Sequence, residues 1–494
     1  MRPRQRRSAV VIVVVMGTLA VALLSGCEVG PDFHRPAAPT VEAYVPGVSA
    51  VRGSGAAAVA TGATPVVTGL APPQQWWTAF QSPVIDQLVQ QAIAANPDLE
   101  AAEAALRAAQ ENAAAERGTL FPSLSGTLSA TRQQDPTGTL SPTLSSAASI
   151  FNLRTGELNV SYSLDLFGQN RRQLESLVAS ADAQRFAMQA AYLTLVSNTV
   201  TAVISRASLQ TQIDSTRALI SSDRESLDIL QNQYESGSIS QAPVSAQESV
   251  LAQVEATLPG LEAQLAAQQN LLARLTGRLP TQMPPVDLDL SMLSLPQQLP
   301  LVLPSQLVDR RPDVRQAEAQ LHAATADVGV ATGNMLPQIT LSADLGTTAT
   351  QLSRLLQAGS NYWRYGGSLS QTLFQGGALL HKRRATVALM DQAGAQYRST
   401  VLQAFREVAD TLQALDADAR TLEAQERAAR AAADSLALVQ RNLKLGSITY
   451  LDLLTAQALY SQAVISQAQA QGAQLTDTVA LFQVLGGDWW NGAT

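Results

Sequence analysis

The sequence predicts a mainly α-helical chain with a membrane β-barrel portion, built as a duplicated unit of two strands and a long helical hairpin. Three observations carry that reading. Gln169 to Ser236 contains no glycine or proline, and Ala378 to Leu445 contains only Gly394. Both runs end in the same tripeptide, in YESGSIS (234–240) and LKLGSIT (443–449). Ahead of each run, two short segments alternate apolar and polar residues with a period of two.

The chain has 494 residues, 46% hydrophobic and 15% charged, a composition that folds and excludes a mainly disordered protein. Its first element reads as a removable secretory signal over residues 1–26. Arg2, Arg4, Arg6 and Arg7 precede the apolar segment Ala9–Leu24, and small residues Ser25 and Gly26 follow. Arg6-Arg7 also suits a twin-arginine route, though basic leader segments commonly carry such pairs. Cys27 is the only cysteine, so no disulfide forms within the chain. Its place directly after Leu-Ser-Gly resembles a bacterial lipobox, which makes Cys27 the candidate lipid anchor. Covalent lipid there is the only prosthetic group expected; no cofactor and no metal are. Removing four leader arginines takes the formal charge from −7 to −11, which argues against a nucleic-acid partner.

Residues 27–75 read as a lipid-anchored tether, because 36–75 is rich in Ala, Pro, Gly, Val and Thr without periodicity. The body divides into a first repeat, 76–290, and a second, 291–494. NPDLEAAEAALRAAQ from Asn96 matches RPDVRQAEAQLHAAT from Arg311, LDLF (164–167) matches QTLF (371–374), and RLTG (274–277) matches VLGG (484–487). The offset drifts only between 207 and 215. Each repeat opens with an amphipathic helix, expected over 87–117 and 312–333, with Pro or Asp in its first turn.

Four strands are expected: 123–131, 157–166, 338–345 and 362–374. In the second, Leu158, Val160, Tyr162, Leu164 and Leu166 alternate with Glu157, Asn159, Ser161, Ser163 and Asp165. After each strand pair comes a helix of roughly 68 residues, roughly 100 Å at 1.5 Å per residue. Apolar residues recur along it at steps of three and four, as in Leu402, Phe405, Val408, Leu412 and Leu415. So narrow a stripe suits a coiled-coil seam. Gly237 and Gly446 stop the two helices, and return helices are expected over 243–276 and 449–485.

A strand with one greasy and one polar face needs a cover. A soluble sheet finds it in a packed core; a membrane sheet finds it in lipid, provided that its edges close into a barrel. Four strands are too few to close around a passage, so copies of the chain must pool theirs. Taken with the leader and Cys27, the membrane alternative is favoured.

Further residues carry a family resemblance: LLSGC (23–27), VGPDFHRP (29–36), QWWTAF (75–80), RRPDV (310–314), LFQGG (373–377) and VLGGDWW (484–490). With these the chain resembles the TolC-type outer membrane factors, in their efflux lipoprotein branch, over nearly the whole mature length. The resemblance implies a homotrimer with a 12-stranded β-barrel continuous with a 12-helix α-barrel tunnel. It implies a lipid-anchored channel in the bacterial outer membrane reaching into the periplasm. Its partners would be a periplasmic adaptor and an inner-membrane transporter of the resistance-nodulation-division class. The function implied is a passive exit duct for small molecules in a tripartite efflux system.

By the same resemblance the two turns form the periplasmic mouth, with Gly237, Ser238, Gly446 and Ser447 at the adaptor-contact tips. Asp452, six residues beyond Gly446, fits the family's aperture position, where three copies would act as a charge ring. It equally suits a plain helix N-terminal acid. The first repeat departs from the pattern with Pro243 at that offset, leaving Gln241 as its aperture candidate. The tip glycines serve turn geometry under either reading.

Enzymatic function is not expected. His34, His322 and His381 are scattered, and no HExxH, GxSxG or Walker-type loop is present. The alternatives left open are the exit duct of a type I protein secretion system and a lipid-tethered structural coiled-coil protein.

Overall fold

The computed structural model describes residues 28–41, 43–44, 66–70, 72–134, 150–296 and 298–486. The leader 1–26, Cys27 and the terminal residues from 487 onward lie outside them. In chain order come strand β1 (Val66–Thr68), a 3-10 turn at Trp76–Phe80, helices α1 (Pro83–Ala95) and α2 (Pro97–Gly118), and strands β2 (Ser123–Gln134) and β3 (Ile150–Leu164). The first hairpin follows as α3 (Gln169–Glu235) and α4 (Gln241–Leu275). Strand β4 (Leu299–Leu301) and helix α5 (Pro304–Arg310) lead to α6 (Pro312–Gly333), β5 (Gln338–Ala349) and β6 (Asn361–Ser370). The second hairpin is α7 (Ala378–Lys444) and α8 (Tyr450–Val484).

Equivalent helices match in length to the residue. Helices α2 and α6 have 22 residues each, α3 and α7 have 67, and α4 and α8 have 35. An unbroken 67-residue helix follows from a sequence with nothing in it to break one. The single helix expected over 87–117 is instead two, broken at Asn96. A residue before proline is steered away from helical ψ, and Asn96 sits at φ −77°, ψ 120°. Its Oδ1 then accepts from the N–H groups of Asp98 and Leu99 at 2.9 and 3.1 Å, capping α2.

The chain forms two compact units. One holds the residues up to Arg35 with Leu106–Gln184 and Ala317–Tyr397; the other holds Pro36–Ala105, Arg185–Gln316 and Arg398 onward. In the first, β2, β3, β5 and β6 make one antiparallel sheet in the order β2-β3-β5-β6. In the second, part of the segment read as a tether folds onto the body. Strand β1 pairs in parallel with β4, and the Tyr44 hydroxyl donates to the Val302 carbonyl at 3.0 Å.

The core of the second unit holds Trp76, Phe80, Ile85 and Val89, with Trp76 stacked on Phe482 at 5.1 Å. The middle of α3 is more apolar than a thin stripe, with Val196, Val200, Val203, Ile204 and Ala207 all buried. Among the described residues α3 is the one helix with a stretch long and apolar enough to cross a bilayer, and 56% of that stretch is buried inside the protein. On α7 the buried stripe is Val401, Ala404, Val408, Leu415 and Ala419. Leu402, expected on that stripe, is 72% exposed because the stripe runs through its neighbour Val401, one residue and about 100° around the helix from it.

Candidate functional site

The sheet sorts its side chains by polarity. Directly paired residues share a face. Leu124 pairs with Val160, Val160 with Ala343 and Ala343 with Tyr365. One rung on, Leu158 pairs with Leu345, and Leu345 with Trp363. Among the described residues nothing covers this apolar face: Leu128, Leu345 and Trp363 are 80%, 61% and 69% exposed. Trp363 and Tyr365 stack at 5.4 Å.

The opposite face carries Asn159, Asp344 and Arg364 on one rung. Asn159 donates to Asp344, which also accepts from Arg364 Nε at 2.9 Å. On the next rung in that face Gly346 stands between Glu157 and Tyr362. An added Cβ there would lie 2.9 Å from Glu157 Cβ, so the glycine lets the Tyr362 hydroxyl reach across and donate to Glu157 at 2.5 Å. Among the described residues no further strand pairs with β2 or β6, so both outer strands present an open edge.

Residues 28–35 form a strap in the first unit, on α3 and α6. The buried Arg172 guanidinium donates to Asp32, to Glu175 at 2.7 Å and to the Val29 carbonyl at 3.3 Å. Burial alone would lower the pKa of Arg172, but the hydrogen bonds it donates to Asp32 and Glu175 raise it, and Arg172 in turn holds the Asp32 carboxyl below the usual range. The Phe33 ring stacks on His322 at 4.3 Å, His322 lies 2.8 Å from Glu175, and Arg35 pairs with Glu318 at 3.0 Å. The VGPDFHRP stretch, a mark of resemblance in the sequence, thus docks the chain next to Cys27; Cys27 itself lies outside the described residues.

The two Gly-Ser-Ile turns are superimposable in hydrogen bonding. Gly237 and Gly446 sit at φ +75° and +69°. The Ser238 N–H donates to Gln233 O at 2.8 Å and the Ser447 N–H to Asn442 O at 3.1 Å, the six-residue closure of a Schellman cap. Gln241 is exposed at the first position of α4. Asp452 is exposed in the first turn of α8, where its Oδ2 accepts from Thr449 N at 2.8 Å and Thr449 Oγ1 at 2.6 Å. These hydrogen bonds lower its pKa. Asp452 is therefore a helix-capping acid in the single chain, fixed and charged at neutral pH.

A second feature, not legible in the sequence, ties each hairpin's far end to the helix that opens its repeat. Asn96 Nδ2 donates to the Leu275 carbonyl at 3.0 Å, and Arg311 donates to the Val484 carbonyl at 3.0 Å. Gly277 and Gly486 then turn at φ +68° and +64° against the carbonyls of Ala95 and Arg310. The structural partner of Gly277 is Gly486, so the RLTG–VLGG match shifts by one residue. Arg311 is held by Asp313 at 2.7 Å and Glu407 at 2.6 Å. Burial works against its charge, yet these carboxylates raise its pKa.

Among the described residues no group of three or more His, Cys, Asp or Glu is placed to hold a metal ion.

The family of outer membrane efflux proteins matches residues 88–278 and 303–487. The probable efflux pump outer membrane protein SepC of Pseudomonas putida is 32% identical over 491 residues, covering 96% of this chain and 97% of its own. The pyoverdine export outer membrane protein OpmQ of Pseudomonas putida is 30% identical over 444 residues, covering 86% and 94%. Among solved structures, the outer-membrane channel OprN has a TM-score of 0.81 at 29% identity, over 94% of this chain and 100% of that one. VceC from Vibrio cholerae has a TM-score of 0.75 at 26% identity, over 85% and 100%. The chain belongs to the outer membrane efflux protein family.

Proposed function

We propose that three copies of this chain form a passive exit duct of a tripartite efflux system, each giving four strands to a twelve-stranded barrel. The observation that carries the proposal is the sheet: open at both edges, greasy on one exposed face and charged on the other. Open edges in hydrocarbon leave unpaired backbone groups, each a loss of several kcal/mol, so the edges must meet those of other copies. The apolar face then meets lipid and the Asn159–Asp344–Arg364 face lines the passage. Leu380, Leu389, Leu402 and Leu438, exposed along α7, supply apolar contacts for a neighbouring copy.

In this reading the two repeats, 76–290 and 291–494, each contribute one hairpin to a twelve-helix tunnel, and a lipid on Cys27 anchors the assembly. A periplasmic adaptor meets the Gly237-Ser238 and Gly446-Ser447 turns, and an inner-membrane pump supplies the energy. Asp452, with Gln241 from the first repeat, rings the aperture. The Thr449 hydrogen bonds hold Asp452 in place for that task and keep it ionised. The cargo is a small molecule; named relatives export pyoverdine and toluene.

Conductance in planar bilayers tests the proposal. The purified protein should open discrete cation-preferring channels, and Asp452→Ala should raise conductance and weaken block by multivalent cations. Channels indifferent to Asp452→Ala would remove the aperture assignment, and a protein that opens none would refute the duct.

A further inference from the structure

We propose that a cleft between the first hairpin and the start of the second return helix is a binding site for hydrophobic organic cations, with Asp223 as its anionic contact. The cleft has a volume of about 670 Å³, within the usual range for small-molecule pockets. Leu230 of α3, Pro243 and Val250 of α4, and Leu451, Leu454 and Leu459 of α8 line it. Asp223 is its only charged lining residue.

The chemistry of Asp223 sets the ligand class. The residue is 2% exposed, and its Oδ2 is buried with no hydrogen-bond partner. Gln247 Nε2 donates to the other oxygen and to the Asp223 carbonyl, both at 3.2 Å. The adjacent cation, Arg224, is engaged by Glu255 at 2.7 Å. Burial raises the Asp223 pKa, with only the Gln247 hydrogen bond acting against it. A buried carboxylate without a cation is unfavourable and normally acquires a partner.

The cleft walls select among partners. A divalent metal needs six or more oxygens, or several nitrogen or sulfur ligands, and these walls are mostly hydrocarbon. An anion meets repulsion. A neutral apolar molecule leaves the charge of the buried Asp223 unbalanced. A single positive charge carried on a bulky apolar body, such as a quaternary ammonium or an arylphosphonium, satisfies both the acid and the walls. The site lies within one chain, so it stands apart from the trimeric duct proposed above.

The test is binding of tetraphenylphosphonium to the full-length protein in detergent, by equilibrium dialysis, with tetraphenylborate as the matched anion. We expect saturable binding of one cation per chain and no saturable binding of tetraphenylborate when it is dialysed alone. Asp223→Asn, which keeps the shape and the Gln247 contact, should weaken binding at least tenfold, and Leu454→Trp, which fills the cleft, should do the same. Retained helical content by circular dichroism establishes that each variant is folded; should Leu454→Trp not fold, Asp223→Asn decides. Absence of saturable binding, equal uptake of the anion, or unchanged affinity in Asp223→Asn would overturn the assignment. Channel conductance is a separate readout, so either proposal fails without the other.

Discussion

Alanine at Gly277 or Gly486 should destabilise the protein far more than alanine at Gly237 or Gly446, although all four share one backbone conformation. Their φ angles lie between +64° and +75°. Forcing an L-residue into that region costs about 1–2 kcal/mol, and this is the whole penalty at the tips, where an added Cβ meets nothing within 4 Å. At the joints, the new Cβ would stand 2.1 Å from the Ala95 carbonyl oxygen or 2.5 Å from that of Arg310. Neither oxygen can swing aside, because each belongs to a helix end held by Asn96 to Leu275 or by Arg311 to Val484. The joint must therefore open, adding about 1–3 kcal/mol of overpacking for a total of about 2–5 kcal/mol. Scaled for size, the unfolding midpoint should fall by roughly 2–5 °C at the joints and by roughly 1–2 °C at the tips. Circular dichroism at the helical band on detergent-solubilised protein reads the difference. Equal losses at all four positions would refute the reasoning, because backbone strain alone would then account for them.

Three further outcomes follow. Burial, with Asp418 alongside, pushes the Asp477 carboxyl up to about 6, so the folded state keeps a proton that the unfolded chain releases near pH 4. Stability should therefore fall as pH rises from about 4 to about 6, by about 1–2 kcal/mol after allowance for solvent screening, and Asp477→Asn should flatten that slope in pH-dependent melts. Arg172→Met should loosen the strap over 28–35 and speed chymotryptic cleavage after Phe33 roughly tenfold, as loss of a buried multi-partner cation implies; an unchanged rate would mean the strap is held elsewhere. Leu345→Lys on the greasy face should destabilise the membrane-embedded protein by about 2–4 kcal/mol, whereas Ser342→Lys on the polar face should be tolerated, with refolding into bilayers as the measure.

What the sequence made legible was local. A run without Gly or Pro specifies a long helix by itself, and period-two alternation such as that from Leu158 to Leu164 specifies a two-faced strand. The left-handed turns at Gly237 and Gly446 followed for the same reason. The break at Asn96 was equally local but was overridden by the surrounding alanine-rich pattern. The joints were hidden because their partners lie far apart in the chain: Asn96 and Leu275 are separated by 179 residues, Arg311 and Val484 by 173. Arg172 and the strap were hidden likewise, since one arginine among many in a long helix carries no mark of the Asp32 it meets. The buried centre of α3 is masked in the sequence because serine, threonine and alanine dilute Val196, Val200 and Ile204 in the composition. Nothing in the sequence distinguishes Asp223 from a helix-surface acid, because the cleft around it is built from three helices, one of them far off in the chain.

Native mass spectrometry of the purified protein, released from detergent, tests the shared barrel most directly. Three chains held together, and no folded single chain, is the predicted result. A compact, monodisperse monomer that stays in solution without detergent would contradict it, because such a chain would have to cover Leu128, Leu345 and Trp363 with its own residues.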